Sequence, residues 1–405
     1  MPGFHSSSRD QIRILDLFSG GGGFAAGFRS FSRGNPGAAE FIPVAAVEFD
    51  RAAASTYAAN FSSAHVHVGD IEGFDAWPLS GAVDVVVGGP PCQGFSQLGS
   101  GHAGDPRNRL WEDYLRFVTT IKPKVFVLEN VDRFIKSDEF EEFLAATERG
   151  QPLGEYSLAF GVLNSADYGV PQSRRRTIVI GTHKDLTLVD LPRPSHTKSR
   201  RLLGKRADPA LFSTSTGAGL KPWETVESVF HRSSRKKIQG TELPSRQAEV
   251  LPGIVVPGAY RTADLHVGRN PKPLSLARYA AIPPGGNRYD LRGKTALIDG
   301  RELALSTASW DNHNSGSADV MGRLRIDRPS VTIRTEFFKP EKGRYLHPFE
   351  NRPITHYEAA LIQGFPEDYQ WYGTKLEIAR QIGNAVPVGL GSAIAESIHN
   401  HLQLR

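Results

Sequence analysis

The residues best suited to chemistry lie in the segment 85–96, which contains Cys92, the single cysteine among 405 residues. Apolar residues at 82–87 predict a short buried strand, and the Gly-Gly-Pro-Pro run that follows must end it abruptly. Ligands bind at the carboxyl ends of strands in open α/β sheets, so a thiol delivered there is placed to act as a nucleophile. Most free cysteines are small core residues instead. Two rigid prolines before Cys92, and polar Gln93 and Ser96 after it, favour the nucleophile.

Four predicted strands share an acidic residue at or just beyond their carboxyl end: Asp16, Glu48, Asp70 and Glu129. A carboxylate after the second strand is positioned to accept hydrogen bonds from both hydroxyls of a ribose. For Glu48 alone, a helix-capping or surface role competes with this interpretation.

Gly20 to Gly23 follow the first predicted strand, 11–18, and precede a predicted helix over 24–31. A strand, glycine turn and helix in this order let backbone amides approach a ligand at the helix N-terminus. The glycines are contiguous, unlike those of the G-x-G-x-x-G dinucleotide fingerprint, and an acid ends the strand. An adenosine-containing cofactor other than a nicotinamide dinucleotide is therefore favoured.

Gln172, Arg174 and Arg176 alternate in the second half of a predicted hairpin, and they would share one face if 174–180 is a strand. A solvated charged edge is one interpretation. The buried-looking residues that follow favour the other, in which the arginines face an anion or a base edge. The glycine-rich segment 98–108 is either an ordinary surface loop or a mobile lid.

Composition is that of an ordinary globular protein, with 39% hydrophobic and 22% charged residues. A single cysteine excludes an intrachain disulfide and a multi-cysteine metal site, which suits a reducing cytosol. The sequence starts without the apolar core of a signal peptide and has no run of about 18 apolar residues. We therefore expect a soluble cytoplasmic protein without a membrane segment.

Charge is unevenly distributed, although the net value is only +5. Residues 186–325 carry about +10 and the flanks about −5, which favours attraction of the middle to a polyanion such as nucleic acid. Basic loops that merely aid solubility are the alternative. Regular periodicity weakens from 186 and resumes near 328, so a second, irregular domain is predicted there.

Six motifs occur in order along nearly the whole chain, and together they resemble those of the C5-cytosine DNA methyltransferases: 16–24, 90–96, 129–131, 172–176, 328–329 and 383–388. The resemblance implies an α/β fold: a Rossmann-like, S-adenosylmethionine-dependent methyltransferase domain with a doubly wound, mostly parallel seven-stranded sheet. It also implies a discontinuous catalytic domain, 1–185 and 326–405, and an inserted irregular target-recognition domain, 186–325.

The same resemblance implies S-adenosyl-L-methionine as methyl donor, S-adenosyl-L-homocysteine as product and no metal. Phe18 would lie against the adenine, Glu48 would hold the ribose hydroxyls, and Asp70 would accept from the adenine amino group. Asn384 would close the pocket from the far end of the chain. The remaining expected cofactor contacts are Asp16, Gly20, Gly22, Ile71 and Pro90.

For the reaction, the resemblance implies a cytosine flipped out of double-stranded DNA. Cys92 would add to C6, Glu129 would serve N3, and Arg176 with support from Arg174 would bind the ring carbonyl oxygen and a nearby phosphate. The expected DNA contacts are Gln93, Ser96 and Arg107.

Three other functions are weighed beside this one: a transfer RNA cytosine-5 methyltransferase, a catalytically idle DNA-binding regulator and a nicotinamide-dependent enzyme. The basic insertion speaks against the first, and intact Cys92, Glu129 and Arg176 speak against the second. The third explains neither the prolines before Cys92 nor the insertion. We expect a monomer, and whether a restriction endonuclease accompanies it stays open.

Overall fold

A seven-stranded sheet forms the centre of the protein. The computed structural model describes residues 10–61, 64–91, 110–198, 219–312 and 319–402. The strands of the sheet are β1 (Gln11–Leu17), β2 (Glu40–Glu48), β3 (His65–Val68), β4 (Val85–Gly88), β5 (Val125–Val131), β6 (Tyr156–Asn164) and β7 (Arg175–His183). Their order is β3-β2-β1-β4-β5-β7-β6, and only β7 runs antiparallel to its neighbours.

Helices cover both faces of this sheet, as a mostly parallel sheet requires. The helices of the described chain are α1 (Gly23–Gly34), α2 (Arg51–Asn60), α3 (Leu110–Ile121), α4 (Asp138–Ala145), α5 (Glu227–Ser233), α6 (Pro273–Ala281), α7 (Ala308–Asn312), α8 (His356–Ile362), α9 (Lys375–Asn384) and α10 (Val388–Leu402). Of these, α6 and α7 pack away from the sheet, around Tyr279 and Trp310. On one face α3 and α4 pack through residues such as Phe117 and Phe143. On the other, α1 and α10 pack through Phe28, Leu390 and Ile394. The predicted doubly wound α/β fold is confirmed.

The part of the chain predicted to be irregular contains short strands and helices with a small core of its own. The strands are β8 (His196–Thr197), β9 (Lys221–Pro222), β10 (Gln247–Leu251), β11 (Ile254–Pro257), β12 (Tyr260–Arg261), β13 (Thr295–Ile298) and β14 (Arg301–Ala304), with β15 (Gln370–Trp371) pairing back to β12. Two pairs, β10–β11 and β13–β14, are antiparallel hairpins. The core consists of Tyr279, Ile282, Leu291, Leu305, Met321 and Leu346. Short elements of this kind escape periodicity arguments because each spans too few residues to show a repeat.

Residues 189–195 pack against the sheet and the loop before β7, and only then does the chain reach this small core. Val189 is fully buried in the same apolar cluster as the α1 face of the sheet. The Tyr168 hydroxyl donates to the carbonyl of Pro192 at 2.9 Å, and the Ser195 amide donates to the carbonyl of Asp167 at 2.9 Å.

Residues after 325 return to the sheet, and their last helix covers part of one face. The ends of α1 and α10 approach so closely that a Cβ added at Gly27 would lie 2.7 Å from the Cα of Gly391. Trp371 and Tyr369 are buried, and the Tyr369 hydroxyl donates to the carbonyl of Gly21 at 2.5 Å. Among the described helices, none is long and apolar enough to cross a membrane.

Candidate active site

The loop between β1 and α1 is built from left-handed backbone. Phe18, Gly20 and Gly22 have φ values of 54°, 53° and 87°. A side chain at Gly22 is excluded twice, because its Cβ would lie 2.6 Å from the Phe61 ring and 2.8 Å from the Tyr369 hydroxyl. At Gly20 nothing lies within 4 Å of an added Cβ. The loop therefore packs tightly against Phe61 and Tyr369 at Gly22, and it has open space around Gly20.

Glu48 ends β2 beside this loop and is held by backbone amides. The Gly20 amide donates to Oε2 at 2.7 Å and the Asp50 amide donates to Oε1 at 2.8 Å. Burial raises the pKa of Glu48 above its usual value, and the two amide donors oppose that rise. Since a carboxylate has about four acceptor positions, Glu48 can still accept from a ligand's hydroxyls.

Asp16 and Ser19 contribute buried polar atoms to the same loop. Asp16 is 1% exposed, and burial raises its pKa well above the usual range, with the Tyr57 hydroxyl opposing the rise and Glu48 adding to it. Within the described part of the chain, Asp16 Oδ2 and Ser19 Oγ have no hydrogen-bond partner. Buried polar atoms are rarely left unpaired, so these two atoms are evidence for a ligand that supplies partners. A polar, cationic cofactor such as S-adenosylmethionine fits this donor and acceptor set.

Asp70 and Ile71 follow β3 at the same sheet edge. The Gly69 amide donates to the carbonyl of Glu48 at 3.0 Å, which ties the ends of β2 and β3 together. Asp70 is exposed, and one of its oxygens accepts from the Glu72 amide at 3.0 Å, so the other is free to face a ligand. Ile71 is buried.

Phe49 is a residue of this site that sequence reasoning missed. Its side chain is 75% exposed although it directly follows Glu48. Exposed aromatic rings on a loop beside a strand-end acid are suited to stacking on a planar ligand. The sequence does contain a signal for this role, because an aromatic residue stands in the short turn between β2 and α2.

Glu129 and Arg176 meet where β5 ends and β7 begins. In the antiparallel pairing of β5 with β7, Val131 lies opposite Arg176. Glu129 lies two residues before Val131 on β5, opposite Ile178. Arg176 Nε lies 2.9 Å from Glu129 Oε1, and both side chains are largely buried. The contact is an ion pair rather than an aligned hydrogen bond, since the Oε1 atom lacks a donor of good geometry.

The end of the proline segment lies against this pair. The Asn130 side chain donates from Nδ2 to the carbonyl of Pro90 at 3.2 Å. A Cβ added at Gly89 would lie 3.1 Å from Glu129 Oε2. The chain that leads into Cys92 therefore passes Glu129. Cys92, Gln93, Ser96 and Arg107 themselves lie outside the described residues.

Gln172 and Arg174 do not share a strand face with Arg176. The prediction of a strand from 174 is wrong by one residue, and Gln172 lies in the loop before it. Arg174 is 3% exposed and donates from one nitrogen to the carbonyls of Ile333 at 3.0 Å and Gly383 at 2.9 Å. Burial, followed by the charge of Arg176, lowers the pKa of Arg174 to about 9.

Gln172 bridges the same two parts of the chain as Arg174. Its amide nitrogen donates to the side-chain oxygen of Gln363 at 2.7 Å, and its oxygen accepts from the Ile333 amide at 2.9 Å. The polar repeat that suggested one charged strand face thus links the loop before β7 to residues 333–383, because buried carbonyls there need donors.

Asn384 is the exposed last residue of α9. The residues that follow it reach the cofactor loop: a Cβ added at Gly23 would lie 2.7 Å from the carbonyl oxygen of Val386 and 3.2 Å from the Ala385 side chain. Asn384 is brought near the start of α1 across 361 residues of sequence. Among the residues that the structure describes, no group of three or more His, Cys, Asp or Glu side chains could hold a metal.

The reversed strand β7 in an otherwise parallel sheet, with acids and a glycine loop at one edge, defines a Rossmann-like methyltransferase. More narrowly, the chain belongs to the C-5 cytosine-specific DNA methylase family, whose profile matches residues 12–400. It is therefore a DNA (cytosine-5)-methyltransferase, and the family implies use of S-adenosylmethionine.

Relatives and a solved structure agree with this assignment. The chain is 31% identical to the Type II methyltransferase M1.HphI of Haemophilus parahaemolyticus over 96% of this chain and 86% of that protein. It is 29% identical to the Type II methyltransferase M.AgeI of Thalassovita gelatinovora over 96% and 99%. The fold is similar to that of a prophage-encoded protein from E. coli described as a DNA modification methyltransferase, with a TM-score of 0.63, 22% identity and coverage of 96% and 99%.

Proposed function

We propose that the protein methylates C5 of one cytosine within a defined sequence of duplex DNA, with Cys92, Glu129 and Arg176 at the reacting base. The observation that carries the proposal is the Glu129–Arg176 ion pair at 2.9 Å, placed against the chain that leads into Cys92. An acid and a cation held together beside the segment that leads to Cys92 are groups that cytosine activation requires.

The chemistry assigns each residue a separate task. Cytosine C5 is a poor nucleophile, and addition of the Cys92 thiolate to C6 turns the ring into an enamine whose C5 can attack an electrophile. Negative charge develops on the ring as sulfur adds, so Glu129 holds a proton toward N3. Arg176, already oriented by Glu129, binds the ring carbonyl oxygen. When bound, S-adenosylmethionine supplies the methyl group. A base then takes the C5 proton, the Cys92 thiolate leaves C6 and the N3 proton returns to Glu129, which restores the aromatic ring and the free enzyme.

The cofactor is proposed to lie along the edge formed by the ends of β1, β2 and β3. Glu48 would hold the ribose hydroxyls, Asp70 the adenine amino group, and Phe18 and Phe49 the two faces of the adenine. Asp16 would face the cationic end. The contacts that complete the proposed pocket are Gly20, Gly22, Ile71, Pro90 and Asn384.

For the DNA, we propose that Gln93, Ser96 and Arg107 approach one groove and that the basic domain 186–325 approaches the other. Arg174 acts from behind as a positioning residue for Arg176, because both of its described contacts are to backbone carbonyls. Relatives named Type II methyltransferases suggest that the enzyme works in the cytoplasm, as the protective partner of a restriction endonuclease.

The test offers the full-length protein duplex DNA and structured transfer RNA with isotope-labelled S-adenosylmethionine. We expect label in DNA, abolished in Cys92→Ala while cofactor binding stays near the wild-type value. Bisulfite sequencing of DNA from expressing cells identifies the modified base and its sequence context. Label found only in RNA would favour the transfer RNA alternative. An inactive wild type that binds DNA as well as Cys92→Ser does would favour the regulator.

A further inference from the structure

A basic groove lies between the small core of the insertion and the segment that returns to the sheet. It has a volume of about 330 Å³, and its lining includes Gly285, Arg325, Arg328 and Phe349. Both arginines are exposed, and Phe349 is 66% exposed. Within the described part of the chain neither guanidinium has a hydrogen-bond or ion-pair partner, although Asp327 also lines the groove.

The walls of the groove are fixed by two buried arginines. Arg344 donates to the carbonyls of Gly285 at 2.8 Å and Gly286 at 3.1 Å, and it pairs with Asp319 at 2.6 Å. Arg323 donates to the carbonyls of Tyr279 at 2.6 Å and Ile282 at 3.0 Å.

These contacts rigidify the turn against which the Arg325 side chain rests, 3.3 Å from a Cβ added at Gly285. Two uncommitted guanidinium groups on a rigid frame are preorganised for an anion, because the backbone that carries them loses no freedom on binding.

The groove is within reach of the proposed active site. Ser330 lies two residues after Arg328, and its amide and carbonyl bond to Pro171 and Ser173 at 2.9 and 2.8 Å. Ser173 in turn lies three residues before Arg176. At no more than about 3.8 Å per residue, the Cα atoms of Arg328 and Arg176 are at most about 25 Å apart. A duplex that presents a base to Arg176 therefore lies within about seven base-pair steps of the groove, at about 3.4 Å per step.

We infer that this groove binds the sugar–phosphate backbone of duplex DNA, with Arg325 and Arg328 contacting phosphates and Phe349 packing against a deoxyribose. The inference rests on the proposed function, since it takes duplex DNA as the substrate. Phosphate contacts of this kind set register and affinity without reading sequence. A groove with two cations and an exposed ring has the composition of such a surface.

The test measures the affinity of the full-length protein for a labelled duplex of mixed sequence between about 50 and 200 mM salt. For the double variant Arg325→Ala/Arg328→Ala we expect the slope of log K against log salt to fall by about 1.8, since each lost phosphate contact removes about 0.9. Affinity at about 0.15 M salt should drop about tenfold or more. The double lysine variant, which keeps both charges, should retain most of the slope.

Arg33→Ala is the matched control, because Arg33 is exposed at the far end of α1, on the opposite edge of the sheet. An unchanged slope in the double alanine variant, or an equal loss in Arg33→Ala, would overturn the inference. Cofactor binding and thermal melting report on folding of each variant. Failure of the proposed function has a different signature: the wild type would not transfer methyl groups to any duplex.

Discussion

Glu129 has two interactions in the proposed site: an ion pair with Arg176 and proton donation to N3 of the base. Arg176 at 2.9 Å stabilises the carboxylate, whereas donation of a proton to the base requires the acid. In the proposed mechanism a bound cytosine draws Arg176 to its ring carbonyl, and Glu129 takes up a proton from solvent and donates it to N3. The ion pair is thus a resting arrangement that the substrate rearranges.

Glu129→Gln should lower single-turnover methyl transfer by about 10² or more, the typical scale for a lost general acid. An amide keeps the shape of the side chain but cannot deliver a proton to N3 or pair with the Arg176 charge. Label transfer to duplex DNA at saturating cofactor measures the effect. Glu141→Gln on α4, an exposed glutamate, is the control. A decrease below about threefold would assign the N3 proton to another group.

Phe49→Ala should weaken S-adenosylmethionine binding about tenfold, because an aromatic stack on a base is worth about 1–3 kcal/mol. The ring is 75% exposed, so its removal should leave the melting temperature unchanged. Calorimetric titration gives the Kd. Trp77→Ala removes a ring that is 73% exposed elsewhere and should not change the Kd. Equal affinities for Phe49→Ala and the wild type would place the adenine away from this ring.

The sequence predicted the positions of the strand-end acids better than it predicted the contacts of the other polar side chains. Asp16, Glu48 and Glu129 were recognisable because strand ends can be read from apolar runs. The roles of Gln172 and Arg174 were not, because their partners Ile333, Gln363 and Gly383 lie far away in sequence. Alternation alone cannot separate a substrate-facing arginine from one that satisfies buried carbonyls.

At the scale of elements, the turn from β1 into α1 depends on glycine for two separable reasons. Gly20 and Gly22 both have positive φ, which costs any other residue backbone strain. Only at Gly22 does a side chain also collide with its surroundings. Comparison of the two positions therefore separates the cost of backbone strain from the cost of a steric clash with Phe61 and Tyr369.

Gly22→Ala should destabilise the protein by about 2–4 kcal/mol, the sum of backbone strain of about 1 kcal/mol and the cost of overpacking. Gly20→Ala should cost only the strain. Urea unfolding of both variants isolates the packing contribution, since backbone conformation is matched. Similar losses at the two positions would mean that the Phe61 and Tyr369 rings move aside.

Elements with strong periodicity were predicted closely from sequence, and elements without it were missed. The predicted strand 11–18 and helix 24–31 correspond to β1 (Gln11–Leu17) and α1 (Gly23–Gly34). The hairpins β10–β11 and β13–β14 were not predicted. Their strands are four or five residues long and contain no fully buried residue, so they show no buried face that would mark a strand.

At the scale of the whole molecule, the segment after residue 325 contains a buried histidine, His356, that makes stability depend on pH. His356 is buried at the start of α8, stacked 5.8 Å from Phe338, and its Nε2 lies 2.9 Å from the carbonyl of Lys375. Burial lowers the pKa of His356 to about 4. The folded protein thus keeps this histidine neutral where an unfolded chain would protonate it.

Stability should therefore fall as pH decreases from about 6.5 to about 4, by up to about 1.4 kcal/mol per pH unit from this histidine. The unfolded state takes up a proton in that window and the folded state does not. Urea unfolding at several pH values should show a shallower dependence in His356→Gln than in the wild type. Substitution of exposed His231 serves as the reference, and an equal slope in all three proteins would contradict the prediction.

The packing of α1 on α10 also affects when, during synthesis, the core of the protein can form. Strands β1 to β7 leave the ribosome first, but the sheet face that carries Ile12 and Ile14 packs in one cluster with Leu390 and Ile394 of the last helix. A nascent chain consequently carries an uncovered apolar sheet until synthesis has passed residue 388. We expect a chain truncated before α10 to expose this apolar surface, which favours aggregation and proteolysis. Methyl transfer should accordingly require synthesis through α10.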